Sequence, residues 1–321
     1  MPPKYMQFAE GNPMPIDSVA LSVLVAYVNE GGIADKFAPK VPCPGSLFEY
    51  LKYEKTDFYR LPATRVGRTS RTNRVEFKAK EETGKVYDEA LDYFIPLRDE
   101  KDKQKFNVSQ RQVGTEMTMN DVQRVREKRV ADKAQDSANY DVANVLPLSG
   151  TDQWDDPTSK PYDLITSIIN TMLVRPNKMT INGHTASVLR GHPDLIAKIH
   201  GAGGAKGTVN MQEIAALFML DEILVGETRV NTAQEGQAAV IERTWENNMI
   251  LSRTDTQPSL LGGTRSFMVS PKWRDIAVSF FDPNIGADGA DAIRVGESIT
   301  EIVTAPDHAF LVQTVLANPI A

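Results

Sequence analysis

Cysteine is nearly absent. Cys43 is the single one in 321 residues, so no disulfide can close within the chain, and a thiolate metal site is not expected. Cys43 lies between two prolines and reads as structural rather than nucleophilic. Histidine is scarce, with four residues, His184, His192, His200 and His308. His192 and His200 are eight apart with no carboxylate in a zinc-protease pattern, and His192 before Pro193 reads as a helix cap. Neither a Gly-x-Ser-x-Gly elbow nor a Ser-x-x-Lys pair occurs, which removes the motif-level argument for a serine nucleophile. Long apolar runs are missing too. The longest, Val19 to Val28, is half the roughly 20 residues that cross a bilayer, so no membrane partner is expected. The opening Met-Pro-Pro-Lys-Tyr lacks a secretory layout, and the default expectation is a reducing cytoplasm.

What is present is an ordinary globular composition, 41% hydrophobic and 24% charged, with a mild net charge of -6. The chain is long enough to bury a large core, in two lobes. Its charge is uneven. From Leu51 to Lys80 there are nine Lys/Arg against three Asp/Glu, a basic arm of about +6 on an acidic body. That pattern is complementary to further copies of the same chain. Arg65, Arg68, Arg71 and Arg74 recur every three residues, with no aromatic between them to stack a base, so inter-subunit contact is expected before nucleic-acid binding.

Two loops mimic ligand motifs and fail on order. Gly201 to Thr208 is glycine-rich, but Lys206 precedes Gly207, the reverse of a phosphate loop. Asp282 to Gly289 suggests a calcium loop, yet Ala287 stands where glycine is required and Ile293 where a bidentate glutamate is required, so a turn is expected. No cofactor, metal or catalytic residue is expected.

Along the chain, Met1 to Pro15 carries four prolines and reads as an extended arm. Asp17 is placed to cap a short helix through about Asn29. Val75 to Lys80 and Lys85 to Leu97 read as the two strands of a hairpin around Glu81-Glu82-Thr83-Gly84. It is charged and poor in apolar surface, and an isolated hairpin is marginal in water, so other subunits are expected to hold it down. A long helix is expected from Asn120, boxed by Gln123, with Val122, Val125, Val130, Ala134 and Ala138 as its apolar stripe. Shorter helices are expected over Tyr162 to Leu173, Thr185 to Arg190, Pro193 to His200 and from Asn210, where Glu213 completes a capping box. Lys178 to Ile181 and Glu222 to Val230 read as strands. Strands are also expected over Ala239 to Leu251, Arg265 to Val269, Ile276 to Phe281, Ala292 to Val303 and Ala309 to Leu316. The fold class is α+β.

Several passages, in order, resemble the major capsid proteins of tailed bacteriophages with the Hong Kong 97-like fold. Phe37-x-Pro39-x-Val41-Pro42 followed by Tyr50-x-Lys52-Tyr53-x-Lys55-x-Asp57-x-x-Arg60 is similar to the start of that family's extended loop. The charged helix from Asn120 sits where its spine helix belongs, and Trp154-Asp155-Asp156-Pro157 resembles the entry to its peripheral domain. Arg175-Pro176-Asn177-Lys178-Met179 through Leu189-Arg190-Gly191-His192-Pro193 is similar to another recurring passage. The resemblance implies an N-terminal arm and short helix over 1–56, an extended β-hairpin loop over 57–105 and a peripheral domain with the spine helix over 106–200. It further implies a mainly axial domain over 201–290 and C-terminal strands returning over 291–321. It implies a virion protein, not an enzyme, that assembles in the host cytoplasm into hexamers and pentamers of an icosahedral head around double-stranded DNA, with only non-specific proximity to that DNA. A separate scaffolding protein, a portal and decoration proteins are the other partners it suggests. The lysines Lys78, Lys80 and Lys85 lie in the loop, and no cross-link is expected from them. An encapsulin-like compartment shell and a soluble enzyme with a dispersed active site are the alternatives.

Overall fold

A computed structural model describes residues 16–26, 32–53, 61, 63–74, 79–98, 110–201, 207–234, 236–260 and 266–317. The expected N-terminal arm, the segment 99–109 and most of the glycine-rich loop lie outside these residues.

The first described helix, α1 (Ser18–Ala26), starts where Asp17 predicts. Asp17 Oδ1 accepts the N–H groups of Val19 at 2.9 Å and Ala20 at 3.1 Å, satisfying two donors that the helix leaves open. A single turn, α2 (Ala34–Phe37), follows. The dominant helix is α3 (Gln110–Gln135), 26 residues and about 39 Å long. It begins ten positions before the expected Asn120, which is helix interior. The apolar stripe expected for it is only partly right. Val122, Val130 and Ala134 are buried, but Val125 is 51% exposed and Ala138 lies beyond the helix. Gln123, Arg126 and Glu127 occupy the buried face instead. A hydrophobicity count cannot see this, because charged groups go inside only when partners wait there.

One face of α3 lies on a five-stranded sheet. Its strands run β1 (Lys40–Pro42), β11 (Met268–Asp282), β12 (Ala290–Ile299) and β4 (Tyr87–Pro96), with β13 (Ile302–Val303) pairing β11 off that path. β1 joins parallel and the others antiparallel. Ala20, Ile95, Met119, Val122, Ala277, Ile293 and Val295 fill the space between α1, α3 and this sheet. The runs expected at Arg265 to Val269 and Ile276 to Phe281 are one strand. The polar stretch between them looks like a turn, but it is strand with exposed side chains, and Lys272 reaches Asp275 at 2.6 Å.

The second sheet runs β5 (Val145–Pro147), β14 (Ala309–Gln313), β10 (Met249–Ser252), β6 (Lys178–Asn182) and β7 (Glu222–Gly226). Four helices share its core: α4 (Pro161–Thr171), α5 (Gly183–Gly191), α6 (Pro193–His200) and α7 (Met211–Phe218). Each agrees with its sequence signal. His192 Nδ1 accepts the Asp194 N–H at 3.2 Å at the start of α6, and Asn210 N–H donates to Glu213 Oε2 at 2.9 Å at the start of α7. Residues 161–200 therefore share a core with 209–225, 249–251 and 310–316, while α3 packs its first half on the other sheet and its last turns, through Val130, Ala131 and Ala134, against Leu224, Ile250 and Leu311 of this one. The cores do not divide at residue 200. The run expected at Ala239 to Leu251 splits between β9 (Ile241–Arg243), which pairs β8 (Arg229–Asn231), and β10 in the sheet.

The hairpin differs from expectation. β2 (Leu47–Tyr53) pairs β3 (Ala79–Lys85) from Leu47↔Lys85 to Tyr53↔Ala79. Glu81 to Gly84 is thus strand rather than turn, and Lys85 to Leu97 does not pair with it, since β4 is laid along β12. The misreading came from Gly84. Phe48 lies over it, and a Cβ there would sit 2.3 Å from the ring, so glycine serves cross-strand packing and not a bend.

Candidate assembly surface

The ribbon β2–β3 leaves the body at a tight base, where Val86 N–H donates to Ser46 O at 2.8 Å. Phe48, Cys43, Val41, Val86, Leu260 and Val269 form a small core beneath it. Cys43 is buried, and burial pushes its thiol above the ordinary value, as its structural reading requires. Further out, Tyr50 OH donates to Glu82 Oε2 at 2.6 Å, and burial together with that carboxylate pushes the phenol up to about 12.

Beyond the strands lies the basic loop. Asn73 Nδ2 donates to Ala63 O at 2.7 Å and Ser70 N–H to Gly67 O at 3.0 Å, which ties residues 63–74 into a shaped turn. Arg65, Arg68, Arg71 and Arg74 are all exposed on it. Leu61, at its root, is 95% exposed. A leucine that finds no cover on its own protomer is consistent with cover from elsewhere.

Sequence reasoning missed a buried ionic network that fixes the segment leading to this ribbon. Glu127, 1% exposed, accepts from Ile33 N–H at 3.0 Å, Ala34 N–H at 2.8 Å and Trp245 Nε1 at 2.7 Å. It thereby caps α2 from a distant helix. Arg126, fully buried, donates from Nη1 to Asp35 Oδ1 at 2.6 Å and from Nη2 to Ala38 O at 3.2 Å. Glu297 receives Lys40 at 2.9 Å, Gln123 Nε2 at 3.0 Å and Lys272 at 3.5 Å. Burial pushes its carboxyl up, but Lys40, Arg126 and Lys272 outweigh burial and hold it below the usual range. Arg129 grips Glu301 with two bonds of 3.2 Å and also reaches Glu89 at 3.2 Å. At the helix start, Arg111 joins Asp17 at 2.9 Å and Asp291 at 2.5 Å, locking α1 to the sheet. Charges at every third or fourth position of α3 were the available signal, and their partners at Glu297 and Glu301 lie some 170 residues away.

Groups that resemble catalytic or metal sites have other roles. Ser159 Oγ and His192 Nε2 lie 2.9 Å apart, both residues buried. His192 Nδ1 already accepts a backbone N–H, so the ring proton sits on Nε2, which faces Ser159 Oγ and, at 3.3 Å, Asp156 O. A base for that serine needs the opposite tautomer. Burial first, against nearby Asp156 and Asp194, lowers the His192 pKa. Asp282 Oδ1 accepts from Asn284 N–H at 2.9 Å, closing the β11–β12 hairpin as a turn. Among the described residues, no three His, Cys, Asp or Glu side chains gather as a metal site, and no helix is long and apolar enough to cross a membrane.

No family profile matches the chain. A major capsid protein of Pseudomonas phage JBD67 is 37% identical over 306 residues, covering 95% of this chain and 98% of the relative. Among solved structures, a phage-related protein from Bordetella bronchiseptica RB50 superposes with a TM-score of 0.71 at 20% identity, over 95% of this chain and 98% of that one. The capsid structure of cyanophage P-SCSP1u superposes with a TM-score of 0.54 at 12% identity, over 96% and 92%. The fold is thus the Hong Kong 97-like α+β fold, and with near-complete coverage at this identity the chain belongs to the phage major capsid proteins.

Proposed function

We propose that this protein is the shell subunit of a phage head, self-assembling into hexamers and pentamers of an icosahedral lattice around packaged double-stranded DNA. The observation that carries the reading is the end-to-end correspondence with a phage major capsid protein, 37% identical over 95% of the chain. The exposed ribbon tip supports it, since its arginines and Leu61 are displayed as an inter-subunit contact would require.

In this reading the lobe of α3, β11, β12 and β4 is the peripheral domain, and the lobe of β5, β14, β10, β6, β7 and four helices is the axial domain. The ribbon 47–85 is the extended loop. Exposed ion pairs contribute only about 0–1 kcal/mol each, so Arg65, Arg68, Arg71 and Arg74 act through repetition around a closed lattice. The role is structural rather than enzymatic. Assembly takes place in the host cytoplasm, with a separate scaffolding protein, a portal and decoration proteins as further partners. Sedimentation velocity tests the reading: the wild type runs as particles of megadalton size, and the variant with all four arginines changed to alanine stays at the 35.5 kDa protomer or small rings with unchanged circular dichroism. Normal shells from that variant would remove the arginines from the account.

A further inference from the structure

The hairpin β8–β9 carries opposite charge on its two faces. Its register sets Arg229 opposite Arg243, Val230 opposite Glu242 and Asn231 opposite Ile241, and successive residues alternate between faces. Thr244 N–H donates to Thr228 O at 2.9 Å, and Thr232 N–H to Val240 O at 2.9 Å. Those bonds make Arg229–Arg243 a close, non-hydrogen-bonded pair, with Cα atoms about 4.5 Å apart. Like charges directly opposite destabilise a ribbon. Among the described residues neither arginine has an ion-pair partner, and Arg243 Nε is buried without an acceptor. Glu227 comes near without pairing: its Oε1 and Arg243 Nη1 lie 3.2 and 3.6 Å from where a Cβ on Gly183 would stand. On the other face Glu242 is exposed and likewise has no ion-pair partner among the described residues. That face borders a groove of about 600 Å³ between hairpin and body, whose walls include Val230, Thr232, Glu242 and the exposed Glu246. Two cations border it too, Lys128, whose ammonium Asp132 engages, and Arg243. Val240 and Ile241, 49% and 48% exposed, stand on opposite faces. A two-stranded ribbon of three residues a side is marginal by itself.

We infer that this hairpin is a head-to-tail contact between copies: the arginine face of one packs into the groove beside the glutamate face of the next. The inference rests on the shell reading and gives the second lobe a contact of its own. Charge complementarity selects a second copy as the occupant. Arg229 and Arg243 of one copy meet Glu242 and Glu246 of the next, and the guanidinium fork suits a carboxylate. Ile241 of the first copy meets Val230 and Val240 of the second, which covers apolar surface that each protomer leaves open. One patch is basic and the other acidic, so the contact is heterologous rather than two-fold, and it generates a ring where the rotation closes. In the shell reading that ring has five or six members, each hairpin giving one face to each neighbour.

The experiment is charge reversal and its rescue. Arg229→Glu sets a carboxylate against Glu242 of the next copy, and Glu242→Arg sets a third cation against the arginine pair. In each single variant the assembled fraction by sedimentation drops about tenfold while protomer circular dichroism stays unchanged. The double variant Arg229→Glu/Glu242→Arg, which restores opposite charge across the contact, assembles at close to the wild-type level. Where a single variant loses its protomer fold, Arg229→Gln takes its place, with a smaller loss of assembly expected. Wild-type yield of shells from the single variants, or a double variant no better than they are, overturns the contact while leaving the shell reading intact. If the wild type itself forms no shell with or without a scaffold, the underlying reading fails and the contact falls with it.

Discussion

Replacing Glu127 by alanine removes the acceptor shared by three buried donors, the N–H groups of Ile33 and Ala34 and the indole of Trp245. Each donor left without a partner costs about 1–3 kcal/mol. Water entering the vacated space recovers part of this, so the expected loss is about 3–6 kcal/mol. That is a large share of a typical 5–15 kcal/mol domain stability. The damage extends along the chain. Phe37, 1% exposed, sits with its ring centroid 5.5 Å from Trp245 and 6.1 Å from Phe267, and its seat depends on α2 being capped. Glu127→Gln keeps one carbonyl oxygen and loses about half as much. The assay is urea unfolding of disassembled protomer, read by circular dichroism and tryptophan fluorescence. An alanine variant within about 1 kcal/mol of wild type would refute the claim that this carboxylate fastens the ribbon's root to α3.

Other predictions follow from single contacts. Glu297 is held below the ordinary glutamate value of 4.5, so its contribution is full above that value and is lost as pH falls through the depressed one. Unfolding free energy of Glu297→Gln, measured from pH 6 to pH 3, loses this part of the acid slope; an unchanged slope assigns it to other groups. Gly296→Ala drives a Cβ to within 2.1 Å of Glu89 O and 2.6 Å of the Ala90 Cα, both backbone, and costs about 3 kcal/mol, with hydrogen exchange rising first along β4. Tyr140→Phe takes the hydroxyl donor from Ala134 O near the end of α3 and costs about 1 kcal/mol in the same urea assay, with no change in assembly.

Local signals with short range were legible. Asp17, His192 and Asn210–Glu213 each mark a helix start that the backbone adopts, because a cap depends on two or three neighbouring residues. The start of α3 was hidden because Gln110 to Met119 is polar on most positions and rests on Tyr93 and Ile95 of β4, contacts that no local pattern encodes. Gly84 misled because a glycine beneath an aromatic ring and a glycine in a turn look alike in sequence. The loop arginines were visible as a charge run. Sequence order alone was enough to suggest the family; the path of the second sheet was not legible, because β14 returns from the C-terminal end to lie between β5 and β10.

Electron microscopy of the protein expressed alone and with a scaffolding partner tests the central claim most directly. The account predicts closed shells or flat rings whose class averages show five-fold and six-fold symmetry. Compact monomers or dimers under both conditions, unchanged across salt and concentration, would contradict it.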